Sequence, residues 1–336
     1  MRRTVCAFRK RVTWLALMAI TGTVLFVGCS NHGRDNPFDV HGTDWSPWTA
    51  CNTGMPPFSY AMSFASSGQN LFAGTNGYGV YLSTDNGAHW ASINTGFPIG
   101  TYVWTLAVNG TNLFAGTDGD GIYLSVNNGT TWAPVDSGLT ELTVYALAVS
   151  GTNLYAGTWD GVFLTTNNGT TWTEVDSGIT YPDVISLAVS GTNLFAGTMG
   201  DGVFLSINNG TTWTEVNNGL TDSYIYSLAA SGTNLFAGTE YEGVFHSANN
   251  GTSWVAVDNG LTNLYIYALA ASGPNIFAGT YGGGVYLSTN NGAEWIPLKN
   301  GMTDVAADTV VSLAVRGTDL FTGTHGGVFK TLLPSP

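Results

Sequence analysis

The residues with the most chemical capacity in this chain recur at fixed spacing. Ser83, Asp85, Gly87 and Trp90, within the stretch STDNGAHW, place a hydroxyl, a carboxylate, a permissive backbone position and an indole inside eight residues. Such a set could serve catalysis or ligate a cation, or it could be scaffolding. Five further copies follow: SVNNGTTW from Ser125, TTNNGTTW from Thr165, SINNGTTW from Ser206, SANNGTSW from Ser247 and STNNGAEW from Ser288. In these, Asn127, Asn167, Asn208, Asn249 and Asn290 stand where Asp85 stands, and Trp132, Trp172, Trp213, Trp254 and Trp295 close each copy. Asn keeps the acceptor oxygen and discards the charge that a metal site or acid catalyst would want. Six copies, five of them uncharged, predict a structural hairpin in which Asx accepts backbone N–H bonds, Gly supplies the unusual backbone angle and Trp buries apolar surface. NGT at Asn128, Asn168, Asn209 and Asn250 matches the glycosylation sequon, but the same order is what the turn demands.

The elements that must carry these hairpins follow from the period. LFAGT and its variants begin at Leu71, Leu113, Leu154, Leu194, Leu235, Ile276 and Leu320, at intervals of 42, 41, 40, 41, 41 and 44. Seven copies at about 41 residues fit the four-stranded blade of a β-propeller. Within one unit, Val144 to Asn153 reads as the innermost strand, Leu154 to Asp160 as the second, Gly161 to Thr166 as the third and Thr170 to Gly178 as the outer fourth. The last copy ends after its third strand, GGVFKTLLPSP, whereas SPWTACNTG (46–54) matches a fourth strand with no strands before it. The two fragments complete one blade. The expected fold is all-β, a seven-bladed propeller over 45–331 closed by its N-terminal strand, with a tail at 332–336.

The motif Ser83-x-Asp85-x-Gly87-x-x-Trp90 resembles the Asp-box, or BNR repeat, of sialidase-like propellers, and the resemblance covers the whole repeat region. It implies a structural hairpin between third and fourth strands. Sialidases of this kind hold a carboxylate with three arginines. After the first eleven residues only Arg34 and Arg316 remain, so three-arginine recognition is excluded. The propeller assembly factors of photosystem II are also similar and lack an obvious catalytic set, but they bind through basic residues that this chain almost lacks.

Charge and termini narrow the setting. The chain has 9 Lys and Arg against 22 Asp and Glu, a formal charge of −13, and five of the nine basic residues lie before an apolar stretch ending at Phe26-Val27-Gly28-Cys29. This reads as an export signal over 1–28 resembling a bacterial lipobox, with Cys29 as the lipidation site, Phe26 in place of the usual Leu, and a tether over 29–44. The alternative is a cleaved secretory signal with an incidental cysteine. Ser30 after Cys29 implies outer-membrane placement, facing periplasm or cell surface. Cleavage there leaves four basic residues and all 22 acids, so nucleic acid is a poor partner and the membrane is reached only through lipid. Cys6 falls in the signal and Cys51 is left alone, which gives no disulfide framework.

Candidate acids lie in the turns between second and third strands (Asp118, Asp120, Asp160, Asp201, Glu240, Glu242) and in the loops joining blades (Glu141, Asp183, Asp222, Asp304). Two suitably placed carboxylates would suffice for a glycosidase. Most turn acids, however, shape or solvate their turns, and DGDG from Asp118 is more simply a hairpin than a calcium site. The five histidines show no metal-ligand spacing, so no metal or cofactor is expected. The same face is rich in aromatics. Trp104, Tyr145, Tyr226 and Tyr267, at one equivalent strand position, are expected to pack between blades, whereas Trp159, Tyr241 and Tyr281 occupy turns and are the candidate ligand contacts. The sequence thus predicts a monomeric, non-catalytic binding or assembly platform for a protein or glycan of the envelope or extracellular space. A surface carbohydrate-active enzyme and a lectin-like module are the alternatives.

Overall fold

The computed structural model describes residues 46–302 and 305–333. The signal and tether, with Cys29 and Arg34, lie outside the described residues, as do Asp304 and the last three residues of the tail. Seven four-stranded antiparallel sheets follow one another, and the protein is a seven-bladed β-propeller. Blades 1 to 6 take their first strands at Ala61–Ser67, Val103–Asn109, Val144–Ser150, Val184–Ser190, Ile225–Ser231 and Ile266–Ser272. Blade 7 is assembled from Val310–Arg316, Asp319–Thr324, Gly327–Leu332 and the N-terminal Thr49–Ala50, which pairs with Phe329 and Lys330. Among the described residues no helix is long and apolar enough to cross a membrane.

LFAGT explains how blades stack. Its aromatic residue (Phe72, Phe114, Tyr155, Phe195, Phe236, Phe277, Phe321) is fully buried and packs across the blade boundary, as Phe72 does against Val103, Leu113 and Trp132. The Ala-Gly pair lets the next blade approach: a Cβ on Gly157 would lie 2.8 Å from Val184 Cγ1. The closing Thr is buried in every blade and donates its hydroxyl across the turn to the third strand, as Thr239 does to the Gly243 carbonyl at 3.0 Å.

Two departures from the sequence reading have physical causes. The outer strand expected over 170–178 pairs only at Thr173–Glu174. The Trp172 backbone N–H is instead donated to Ser137 O of the preceding blade, so the chain is pulled off its own sheet. The inner strands also each carry a β-bulge at their second residue, which the ladder skips in all seven blades. That residue (Met62, Trp104, Tyr145, Ile185, Tyr226, Tyr267, Val311) is pushed out of the pairing, and bulges of this kind re-aim a side chain.

Candidate functional site

The two faces of the ring are built differently. On one face stand the eight-residue hairpins. In blade 4, Ser206 Oγ donates to Asn208 Oδ1 at 2.9 Å and accepts from Gly210 N at 2.9 Å, while Asn208 Oδ1 also accepts from Thr212 N and Asn208 Nδ2 donates to Thr212 Oγ1. Asn209 and Gly210 both hold positive φ, 58° and 83°, which is why Asn-Gly recurs here. Blade 1 keeps the same net with a charged member: Asp85 accepts from Ser83 Oγ and His89 N, and His89 Nδ1 lies 2.7 Å from Asp85 Oδ2. These bonds hold the Asp85 carboxyl down at about 2. The residue four positions on thus matches the Asx chemistry, His for Asp85 and a hydroxyl for Asn127, Asn167, Asn208 and Asn249.

Each hairpin's Trp is a staple to the previous blade. Trp90, Trp132, Trp172, Trp213, Trp254 and Trp295 are 2–5% exposed, and each donates Nε1–H to a carbonyl of the preceding blade at 2.5–2.9 Å. Blade 7 has no hairpin of this kind. Trp48, arriving with the N-terminal strand, donates Nε1–H to Leu298 O and its backbone N–H to Asn300 O, and so supplies the missing staple. Basic side chains gather at the next boundary, where blade 7 meets blade 1. Lys330 Nζ donates to Asn86 O, and Arg316 bonds the Asn86 side chain and Gly68 O. Burial pushes the nearby Cys51 thiol up.

The opposite face carries the turns between second and third strands and the loops joining blades. Several acids singled out in the sequence are engaged there by blade-joining threonines. Thr101 donates to Asp120 at 3.2 Å, Thr180 to Asp201 at 2.9 Å, and Thr221 to Glu242. Asp222, 7% exposed, accepts from Tyr224 N at 3.0 Å and Tyr241 N at 2.8 Å. Among the described residues no three His, Cys, Asp or Glu side chains gather as a metal site. Among the described residues the carboxyl pushed up farthest is Asp176, raised to about 6 by burial and by Glu174 beside it, and it sits at the outer strand.

Besides the Tyr60–His325 pair, 4.8 Å apart, the aromatics on this face form two larger groups. Trp104, Tyr145 and Trp159 make one, with ring centroids 5.5 Å apart between Trp104 and Tyr145 and 5.0 Å between Tyr145 and Trp159. Tyr224, Tyr226, Tyr241, Tyr265, Tyr267 and Tyr281 make the other, across blades 5 and 6. Tyr241 is 63% and Tyr281 46% exposed, and both touch Tyr265, at 6.0 and 5.7 Å. Trp159 is half-buried and lies in the first group, so the three candidate contacts do not share one patch. The bulge residues do meet across blade boundaries, Trp104 with Tyr145 and Tyr226 with Tyr267, but they are only half-buried.

Sequence reasoning missed the centre and the fastenings of the larger group. Tyr265 contacts four other rings of the group, and its hydroxyl donates to Glu240 Oε1 at 2.7 Å with Tyr226 Oη 3.3 Å away. Burial first, then these bonds, raise the Tyr265 hydroxyl; burial raises Tyr267 to about 12. Each exposed ring is fastened by an Asx two residues before the strand-leading tyrosine. Asp222 fixes Tyr224 and Tyr241, and Asn263 accepts from Tyr265 N at 2.9 Å while donating to Tyr281 O. Asx-x-Tyr-x-Tyr, present as DSYIY and NLYIY, was the available signal.

Comparison with known proteins bears on the fold. The family model described as the DUF6242 beta propeller domain matches residues 68–184. A search of curated proteins returned no match. YCF48 from Cyanidioschyzon merolae superposes with a TM-score of 0.67 at 14% identity, covering 86% of this chain and 99% of that one. The extracellular domain of the putative one component system BT4673 from B. thetaiotaomicron gives 0.73 at 17% identity over 87% of this chain and 40% of that one. The GH74 enzyme of Niastella koreensis gives 0.61 at 18% identity over 81% and 43%. At these identities the likeness establishes architecture alone.

Proposed function

We propose that this chain is an exported, non-catalytic propeller of the Asp-box type whose loop face docks a protein partner. The observation that carries the reading is the tyrosine array on blades 5 and 6, in which exposed Tyr241 and Tyr281 flank Tyr265, exposed Tyr224 packs on Tyr241, and all three exposed rings are held by matching backbone fastenings. Tyrosine offers large contact area with little side-chain entropy to lose, and aromatic residues are enriched at the buried centres of interfaces. Fold analogy supports the same direction: YCF48 has been solved bound to a D1 peptide, and the B. thetaiotaomicron neighbours are extracellular domains. The Asp-box hairpins hold the ring, the signal over 1–28 exports it, and lipid on Cys29 tethers it to the outer membrane as a monomer.

The test is a paired screen of one preparation, envelope-protein capture beside a glycan array with released sugar monitored. Capture of a protein that Tyr241→Ala/Tyr281→Ala abolishes supports the platform. Sugar release would overturn it and direct attention to the loop-face carboxylates. Glycan binding without turnover, insensitive to those tyrosines, would replace it with the lectin reading. For the anchor, Cys29→Ser should abolish incorporation of labelled palmitate; incorporation that persists would refute lipidation at this cysteine.

A further inference from the structure

The tyrosine array has a definite shape and charge. Its rings do not lie in one plane: Tyr241 and Tyr265 meet at 83°, Tyr265 and Tyr281 at 47°, and Tyr267 and Tyr281 at 63°. Such an array is poorly suited to the flat stacking of a sugar ring, and it offers rings in several orientations around Tyr265. Glu240 stands at its edge, one residue after the buried Thr239, where blade 6 has Tyr281 after Thr280. Its carboxylate accepts from Tyr265, and hydrogen bonding to Glu240 is the first cause raising the Tyr241 hydroxyl. Two exposed rings and a fixed carboxylate are therefore gathered around Tyr265.

Among the described residues no ion pair answers that charge. Among the described residues the one ion pair is His89 with Asp85, on the hairpin face. Arg316 and Lys330 are committed to Asn86 and its surroundings where blade 7 meets blade 1, and Lys299 follows the outer strand of blade 6 beside Asn300, whose carbonyl holds Trp48 where blade 6 meets blade 7. None of these three, the only Lys and Arg among the described residues, pairs with Glu240, while Asp222, Glu240 and Glu242 all lie on the loop face. A face of this kind attracts a cationic group from solution, and tyrosine faces bind one through their quadrupoles.

Resting on the platform reading above, we infer that the cluster formed by Tyr241, Tyr265, Tyr281 and Glu240 receives an arginine side chain of the partner protein. Arginine fits better than lysine for a geometric reason. A guanidinium is planar, so it stacks on a ring while its edge donates to a carboxylate beside that ring, whereas an ammonium does one or the other less completely. Asp222 and Asn263 act as positioning residues, since they hold the loops bearing Tyr241 and Tyr281.

The experiment uses the full chain at physiological salt and a fluorescent Gly-Ser-flanked tetra-arginine peptide, with tetra-lysine and tetra-citrulline versions alongside. The arginine peptide should bind about tenfold more tightly than citrulline and about threefold more tightly than lysine. Tyr241→Ala/Tyr281→Ala should weaken it about tenfold and Glu240→Gln about fivefold, whereas Glu215→Gln, an exposed acid on an outer strand, should leave it unchanged. Equal weakening by Glu215→Gln would mean diffuse attraction to an acidic protein and would overturn the inference. So would indifference of the arginine peptide to the tyrosine double variant. If a protein partner is captured through the tyrosines while arginine is not selected over citrulline, the platform stands and the arginine assignment falls. If capture itself ignores the tyrosines, both fall.

Discussion

The hairpin face and the loop face come from the same repeat and are built on opposite rules. On the hairpin face each of the six hairpins makes the same Ser/Thr-to-Asx bond, and even the one charged copy, Asp85, satisfies the acceptor role that Asn fills elsewhere. On the loop face the equivalent positions diverge: Trp159, Glu240 and Tyr281 each follow the same buried Thr, and the bulge position runs through Met62, Trp104, Ile185 and Tyr226. A repeat conserves what each blade needs to grip its neighbour, and it varies where the ring meets something else. Residues alike in the copies are therefore the scaffold, and the loop-face residues that differ between copies form the proposed docking surface.

The comparison breaks most visibly if a staple is removed. Trp213→Ala should cost about 3–5 kcal/mol, read as a lower urea midpoint, because it opens a large cavity and strands Val175 O, the acceptor of the indole N–H. Asp222→Ala should cost about 2–3 kcal/mol by leaving two N–H groups without their carboxylate, and it should also weaken partner binding, since it frees Tyr224 and Tyr241. Ser206→Ala, which removes the hydroxyl joining Asn208 to Gly210, should cost about 1–2 kcal/mol with binding untouched.

A smaller effect carries a pH signature. Asp176 is raised from 3.8 to about 6, so the folded state disfavours its charge. The penalty is absent below pH 4, grows as pH rises from 4 to 6 and is complete above that. Asn217, its counterpart in blade 4, accepts from Val203 N and donates to Asp201 O, each at 2.7 Å. Asp176→Asn should accordingly stabilise the protein by about 1 kcal/mol at pH 8, after allowance for solvent screening, and the charge-derived gain should fade below pH 4. A gain that is constant with pH would assign the effect to the amide bonds instead.

How much of this was legible depends on whether a feature repeats. The blade period, the hairpin residues and the pairing of the N-terminal strand with the last blade could be read because each copy repeats the pattern or completes it. The two-residue outer strand could not, since it follows from Trp172 giving its backbone N–H to another blade. Nor could the centrality of Tyr265, which arises from rings of blades 5 and 6 meeting in space. Trp159 looked equivalent to Tyr281 in sequence and is so in position, but its neighbour Tyr145 stacks edge-on against it and draws it into a separate group.

The least destabilising change is also the most informative. Tyr241→Ala/Tyr281→Ala removes two exposed rings and should move the urea midpoint by no more than the equivalent of about 0.5 kcal/mol. The central claim is tested most directly by measuring that midpoint and the affinity for the captured partner on the same double variant. The expected result is an unchanged midpoint with affinity lowered at least about tenfold. Full affinity, or a loss of affinity that merely tracks a loss of stability, would contradict it.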